Sequence, residues 1–159
     1  MKKKRICMIS VMILMLVVMT GLTGCFEETS NRDSEFLSWM ASDLEHHSSA
    51  TTRLTNAMES DSYYSMESIS ESEESYIDDV SKVQCRSFTS LSSKCVIIKN
   101  EYYEYISDYS WSLFHSKWAA RYLQNADYSN AIDSMDDATT YVERAQIHLN
   151  TVNNLLSNL

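Results

Sequence analysis

Beyond residue 25 the chain contains neither glycine nor proline: its two glycines are Gly21 and Gly24, and it has no proline at all. Sheets and tight turns lean on these two residues, one for positive φ and the other for a fixed φ near −65°. A β-rich domain of this length without either would be very unusual, so helix is the default reading.

The apolar spacing agrees. Leu37, Met40, Leu44, His47, Thr51, Leu54 and Met58 alternate steps of three and four, and Met66, Ile69, Glu73, Tyr76, Val80, Val83 and Ser87 do so less cleanly. Tyr102, Ile106, Tyr109, Leu113, Ser116, Ala120 and Leu123 form a third stripe. Tyr128, Ala131, Met135, Ala138, Val142, Ala145, Leu149, Val152 and Leu156 form the fourth. Each such stripe lies on one face of a helix. The register slips at Ser60-Asp61-Ser62 and at Asn125-Ala126-Asp127, two polar, cap-like clusters, and breaks again among the serines of 89–94. Four helices follow, over 31–59, 62–89, 94–124 and 127–157. Their similar lengths predict an all-α, antiparallel up-down-up-down four-helix bundle. The alternative is a long helical hairpin or coiled coil that absorbs the slips as drift. A four-helix bundle returns Leu159 to the end where the first helix starts and puts the turns near 61 and 126 roughly 40 Å away, at ~1.5 Å per residue.

The segment before this domain has a different character. Lys2, Lys3, Lys4 and Arg5 precede an apolar run from Ile6 to Met19 broken only by Ser10, and small residues lead to Cys25. A charged start, a short apolar middle and a small-residue end read as a secretory signal. The run is shorter than the roughly 20 residues a spanning helix needs, which leaves an uncleaved anchor as the alternative. Leu22-Thr23-Gly24-Cys25 resembles the prokaryotic lipoprotein processing signal. That resemblance implies thioether lipidation of Cys25, removal of 1–24 as signal peptide, a tether over 25–30 and a helical domain over 31–159. It also implies a location on the extracytoplasmic side of a cell membrane, and paired acyl chains would make that anchor stable.

Loss of the four basic residues of the signal leaves nine Lys and Arg against 22 Asp and Glu, a net charge of −13. A domain this acidic carries no footprint for nucleic acid, and anionic headgroups repel it, so a covalent anchor is useful. Cys7 leaves with the signal and Cys25 takes the lipid, so Cys85 and Cys95 remain. A pair in an exported domain reads as a disulfide. The two flank Ser90 almost symmetrically, where a bridge would staple the central turn; two free thiols are the alternative.

The four histidines (His46, His47, His115 and His148) lack the paired Glu-x-x-His of di-iron bundles and the Cys-x-x-Cys-His of covalent haem. Asp43-Leu44-Glu45-His46 offers one isolated Asp-x-x-His, and His47 on the apolar stripe reads as a core or boundary residue. No metal and no cofactor are expected. Eight acidic residues and no basic one occupy 59–79; an EF-hand is excluded for want of its glycine, so a solvated face is the simplest account. No catalytic motif or nucleophile–base pair can be assembled, so no enzyme is expected.

The third helix is apolar on two sides. Opposite its stripe lie Trp111, His115, Trp118 and Tyr122, with Phe114 beside them. Such a face is buried inside the bundle or awaits a partner, and Trp and Tyr are residues that anchor interfaces. Residues 118–138 resemble a single tetratricopeptide helical hairpin: Ala119, Tyr122, Ala131, Met135 and Ala138 match its small, aromatic, small, bulky and small positions. The repeat's proline is missing and His115 stands at its leading tryptophan, so the likeness implies close helix packing and no solenoid. The function these features predict is a helical protein-interaction or spacer module of the cell envelope, bound to the membrane through Cys25 and to an envelope protein through the aromatic face. The alternative is a sensor or carrier that holds a small molecule in an aromatic groove on the third helix.

Overall fold

The structure, a computed structural model, describes residues 31–159. The expected signal peptide (1–24), lipidated Cys25 and tether (25–30) lie outside the described residues. All regular elements among the described residues are helical, and four helices pack together: α1 (Asn31–Glu59), α2 (63–87), α3 (Ser93–Gln124) and α4 (Tyr128–Leu156). Their bounds fall within two residues of those the spacing predicts. Each register slip is a true turn, so the hairpin of two very long helices does not form. No helix among the described residues is long and apolar enough to cross a membrane.

The turns solve the absence of glycine with other residues. Asp61 (φ 53°), Ser90 (φ 59°) and Ala126 (φ 57°) take left-handed conformations. After α1 the Ser62 N–H donates to the Ala57 carbonyl at 2.8 Å; after α3 the Asp127 N–H donates to that of Tyr122 at 2.9 Å. This is the six-to-one closure of a Schellman cap, with Asp61 and Ala126 where glycine usually stands. New helices then start on polar caps: Ser92 accepts from the Cys95 N–H and Asp127 from the Asn130 N–H.

The predicted stripes of α1, α3 and α4 face the core. Leu37, Met40, Leu44, His47, Thr51 and Leu54 are buried, as are all seven α3 positions and Ala131, Ala138, Val142, Ala145, Leu149 and Val152. At one end the core is aromatic, with Phe36 edge-on to Phe88 at 5.4 Å and Trp39 edge-on to Tyr102 at 5.7 Å. The same end holds the start of α1, the start of α3 and the tail of α4: Asp33 Oδ1 accepts the Ser92 N–H at 2.9 Å, and Lys94 Nζ donates to the Asn158 carbonyl at 3.0 Å.

α2 departs from the expected stripe. Its buried positions are Met66, Ser70, Glu73, Ile77, Ser81 and Cys85, whereas Val80 and Val83 are exposed. The buried face already shifts by one residue at Ser70, and past Ile77 it is turned further by a π-helical segment, Ile77–Ser81, between α-helical stretches Tyr63–Tyr76 and Lys82–Ser87. The wider turn admits an extra residue and rotates everything after it. Ser81 and Cys85 thereby take the inward places that period 3.6 assigns to Val80 and Val83.

The expected disulfide is absent: Cys85 and Cys95 are free, buried thiols. The connection over 88–92 is centred on Ser90, but the two helices are staggered. Cys85 lies level with Lys99, whose carbonyl its Sγ approaches at 3.8 Å, and Arg86 Nη2 donates to the Tyr103 hydroxyl. Cys95 therefore sits one helical turn, about 6 Å, closer to the loop than the position facing Cys85. Burial pushes the Cys85 thiol up to about 12, although Lys99 pulls the other way, and burial raises Cys95 too.

Candidate functional site

Two constellations stand apart from ordinary packing. The first is the aromatic face of α3. Trp111 is 50% exposed, His115, Trp118 and Tyr122 are half-buried, and none of the four belongs to the core cluster. The bundle interior has not absorbed them. They form one run of touching rings: Phe114 bridges Trp111 at 5.5 Å and Trp118 at 6.3 Å, and Trp118 leans on Tyr122 at 5.9 Å. α4 supplies Tyr141, against which both Trp111 (5.9 Å, 23°) and His115 (5.4 Å, 15°) stack. Cations lie over three of the rings: Arg144 over Tyr141, Lys117 over Phe114 and Arg121 over Trp118. Carboxylates tie down the same cations, through Arg144 to Asp108 (2.9 Å), Lys117 to Glu74 (2.5 Å) and Arg121 to Glu67 (2.6 Å). The strip is thus a rigid, amphipathic surface about 16 Å long. Sequence reasoning missed Tyr141 and Arg144, which lie three and six residues beyond the tetratricopeptide-like stretch.

The second constellation is buried and polar. His47 is 1% exposed, between two carboxylates. Its Nδ1 lies 2.6 Å from Glu73 Oε1, and its Nε2 lies 3.2 Å from Asp43 Oδ2, a close ion-pair contact without hydrogen-bond alignment. Asp43 further accepts from the hydroxyls of Tyr102 (2.7 Å), Ser81 (2.8 Å) and Tyr76 (3.1 Å). Glu73 Oε2 lies 3.0 Å from Nε2 of His46, which is stacked on Tyr76 at 3.8 Å and reaches the surface. Thr51 donates to the His47 carbonyl at 2.9 Å and bonds the Tyr109 hydroxyl at 2.8 Å. Burial alone would push the Asp43 carboxyl up, but His47 and the hydroxyls outweigh it and hold Asp43 below its ordinary range. Burial alone would likewise lower His47, but Asp43 and Glu73 raise it instead. Tyr76 is pushed up to about 12 by burial and by the Asp43 charge.

The sequence placed Asp43 with His46; the structure pairs Asp43 with His47 and gives His46 to Glu73. The available signal was a carboxylate, Glu73, on an otherwise apolar stripe, together with three stripe-side tyrosines of α3, Tyr102, Tyr105 and Tyr109. Buried hydroxyls and charges require partners. Among the described residues no group of three or more His, Cys, Asp or Glu is arranged to hold a metal ion. A smaller charged group lies between α3 and α4, where His148 joins Glu101 (2.9 Å) and approaches Asp108 (3.8 Å). The chain matches no known protein family, no characterised protein and no solved structure.

Proposed function

We propose that this chain is a lipid-anchored, extracytoplasmic protein whose antiparallel up-down-up-down bundle acts as a non-enzymatic protein-interaction module of the cell envelope. The bundle topology draws support from the order of contacts. Glu67, Glu74 and Asp78 of α2 meet Arg121, Lys117 and Ser110 of α3 in descending order. Glu101, Asp108 and Trp111 of α3 meet His148, Arg144 and Tyr141 of α4 likewise. The anchor draws support from the lipobox residues Leu22-Thr23-Gly24-Cys25 behind a charged, apolar leader.

One observation carries the interaction reading: Trp111, His115, Trp118 and Tyr122 form a continuous surface strip although the bundle has a complete core without them. A partner that covers Trp111 would remove a half-exposed indole from water and gain the aromatic contacts typical of interface anchors. A carrier would need an enclosed pocket beside Trp118. An open cleft near the end of α1, lined by Arg53, Asn56, Ser62, Tyr64 and Ile69, lies away from the strip.

A photoreactive amino acid at position 111 or 118 of the membrane-bound lipoprotein tests this. A discrete crosslinked adduct is expected there and none from position 150 on the exposed side of α4, with Trp118→Ala weakening the adduct at 111. Equal labelling from 111, 118 and 150 would overturn the reading.

A further inference from the structure

α2 has the most polar buried face of the four helices. Three of its six buried positions, Ser70, Glu73 and Ser81, are polar, and Ser70 Oγ has no hydrogen-bond partner. Its pairs with α3 through Glu67 and Glu74 are partly exposed, and such pairs contribute little. What else holds it is the burial of Met66, Ile77 and Cys85 and the polar knot that joins α1 to α2 at the π-helical segment. A buried carboxylate such as Glu73 is tolerated only while it is paired.

Proton counting in that knot is decisive. Neutral imidazole has one donor nitrogen and one acceptor nitrogen. His47 faces a carboxylate on each side, and ionised carboxylates only accept. With a single ring proton, one nitrogen lone pair would confront a carboxylate at 2.6 or 3.2 Å in the interior. With two protons, both contacts are attractive. We propose that the docking of α2 is proton-dependent: the Asp43–His47–Glu73 knot fastens α2 to α1 while His47 carries both ring protons, and loss of one to solvent releases α2. The titratable groups facing the knot are Asp43 and His46 from α1, Glu73, Tyr76 and Cys85 from α2, and Tyr102, Tyr105 and Tyr109 from α3. His46, whose side chain is 41% exposed, links Glu73 to bulk water and provides the proton's route.

The direction follows by linkage. His47 is raised above its ordinary 6.5, so its contribution is complete below that value and is lost as pH rises through the higher folded value. Asp43 is lowered below 3.8, so its contribution holds above that value and fails only in stronger acid. α2 is therefore fastened in weak acid and loosened progressively as pH rises above 6.5. This inference is independent of where the chain resides and of what it binds.

Amide hydrogen exchange on the full-length protein in detergent, at pH 6 and pH 9 and corrected for intrinsic rates, tests it. Protection across 63–87 should fall by up to about tenfold for each pH unit between 6.5 and the raised folded value of His47 and level off above it, for one proton released, while 128–156 holds. Glu73→Gln discriminates the mechanism, because a glutamine amide can donate to Nδ1 while neutral His47 donates to Asp43. The variant should keep α2 protected at both pH values and lose the pH dependence. Equal protection of wild-type α2 at pH 6 and 9, or loosening of α2 and α4 in step, overturns the proposal. So does a Glu73→Gln variant that keeps the wild-type pH response. The wild-type comparison decides the matter even if that variant fails to fold.

Discussion

Ala126 occupies the left-handed conformation at φ 57°, and it should be the easiest position at which to stabilise the fold. An L-residue there suffers a clash between its Cβ and the neighbouring carbonyl of roughly 1–2 kcal/mol, which glycine avoids. The alanine side chain offers nothing in return, since position 126 is exposed and the turn is closed by backbone bonds, Ala126 N–H to Leu123 and Asp127 N–H to Tyr122. Glycine also widens the freedom of the unfolded chain, which offsets roughly 0.4–1 kcal/mol of that gain. Ala126→Gly should therefore stabilise by about 0.5–1 kcal/mol, a rise in Tm of roughly 2–5 °C for a domain of this size. Urea unfolding followed by circular dichroism measures it: the midpoint should rise while the m-value stays constant. Ala126→Val, with a branched Cβ in the same conformation, should destabilise by more than 1 kcal/mol. A destabilised glycine variant, or a valine variant as stable as wild type, would refute the left-handed cap and with it the sharp turn between α3 and α4.

Three further outcomes follow from the same contacts. Tyr102→Phe removes a buried donor to Asp43 and should cost about 1–3 kcal/mol. Because Asp43 then loses part of what holds it ionised, acid unfolding should begin at higher pH, which a pH series of unfolding midpoints reads directly. Cys85 and Cys95 should resist maleimide in the native protein at pH 7.5 and react in full in denaturant without a reductant; an unreactive denatured protein would mean they are bridged after all. Cys25→Ser should yield an unprocessed or released protein that no longer partitions into detergent, whereas a mutant of mature mass in the membrane fraction would exclude the lipid anchor.

The helices were legible because two independent signals agreed. The missing glycine and proline removed sheet from consideration, and the three-four spacing of α1, α3 and α4 marked faces that are buried in the structure. α2 was legible in extent and not in face. Its π-helical segment adds a residue to one turn, and no propensity distinguishes Val80 from Ser81 as the inward residue until Asp43 is seen to accept from Ser81. The disulfide expectation failed for a related reason: symmetry about Ser90 in sequence does not place two cysteines at one height when the helices are staggered and Cys85 lies level with Lys99. Trp111, His115, Trp118 and Tyr122 could be grouped by helical angle alone, since i, i+4 and i+7 neighbours share a face. Their backing by Tyr141 and Arg144 could not, because the pairing of two helices is a tertiary fact. The buried knot was half visible as a histidine and a glutamate on apolar stripes.

Depth measurements on the full-length protein in liposomes address the proposed anchored bundle as a whole. Labels placed by Asp61→Cys, Ala126→Cys and Leu159→Cys report three heights; the proposed antiparallel order puts the turns at 61 and 126 at one end and the tail, in contact with Lys94 through Asn158, at the other. Under the proposed anchor at Cys25, a five-residue tether reaching at most ~18 Å would hold the Leu159 end close to the bilayer. The turns then lie roughly 40 Å further out, at ~1.5 Å per residue. The label at 159 should be quenched by lipid-borne nitroxides while those at 61 and 126 stay open to aqueous quenchers. Equal distance of 159 and 61 from the bilayer would contradict both the anchor at Cys25 and the antiparallel order of the helices.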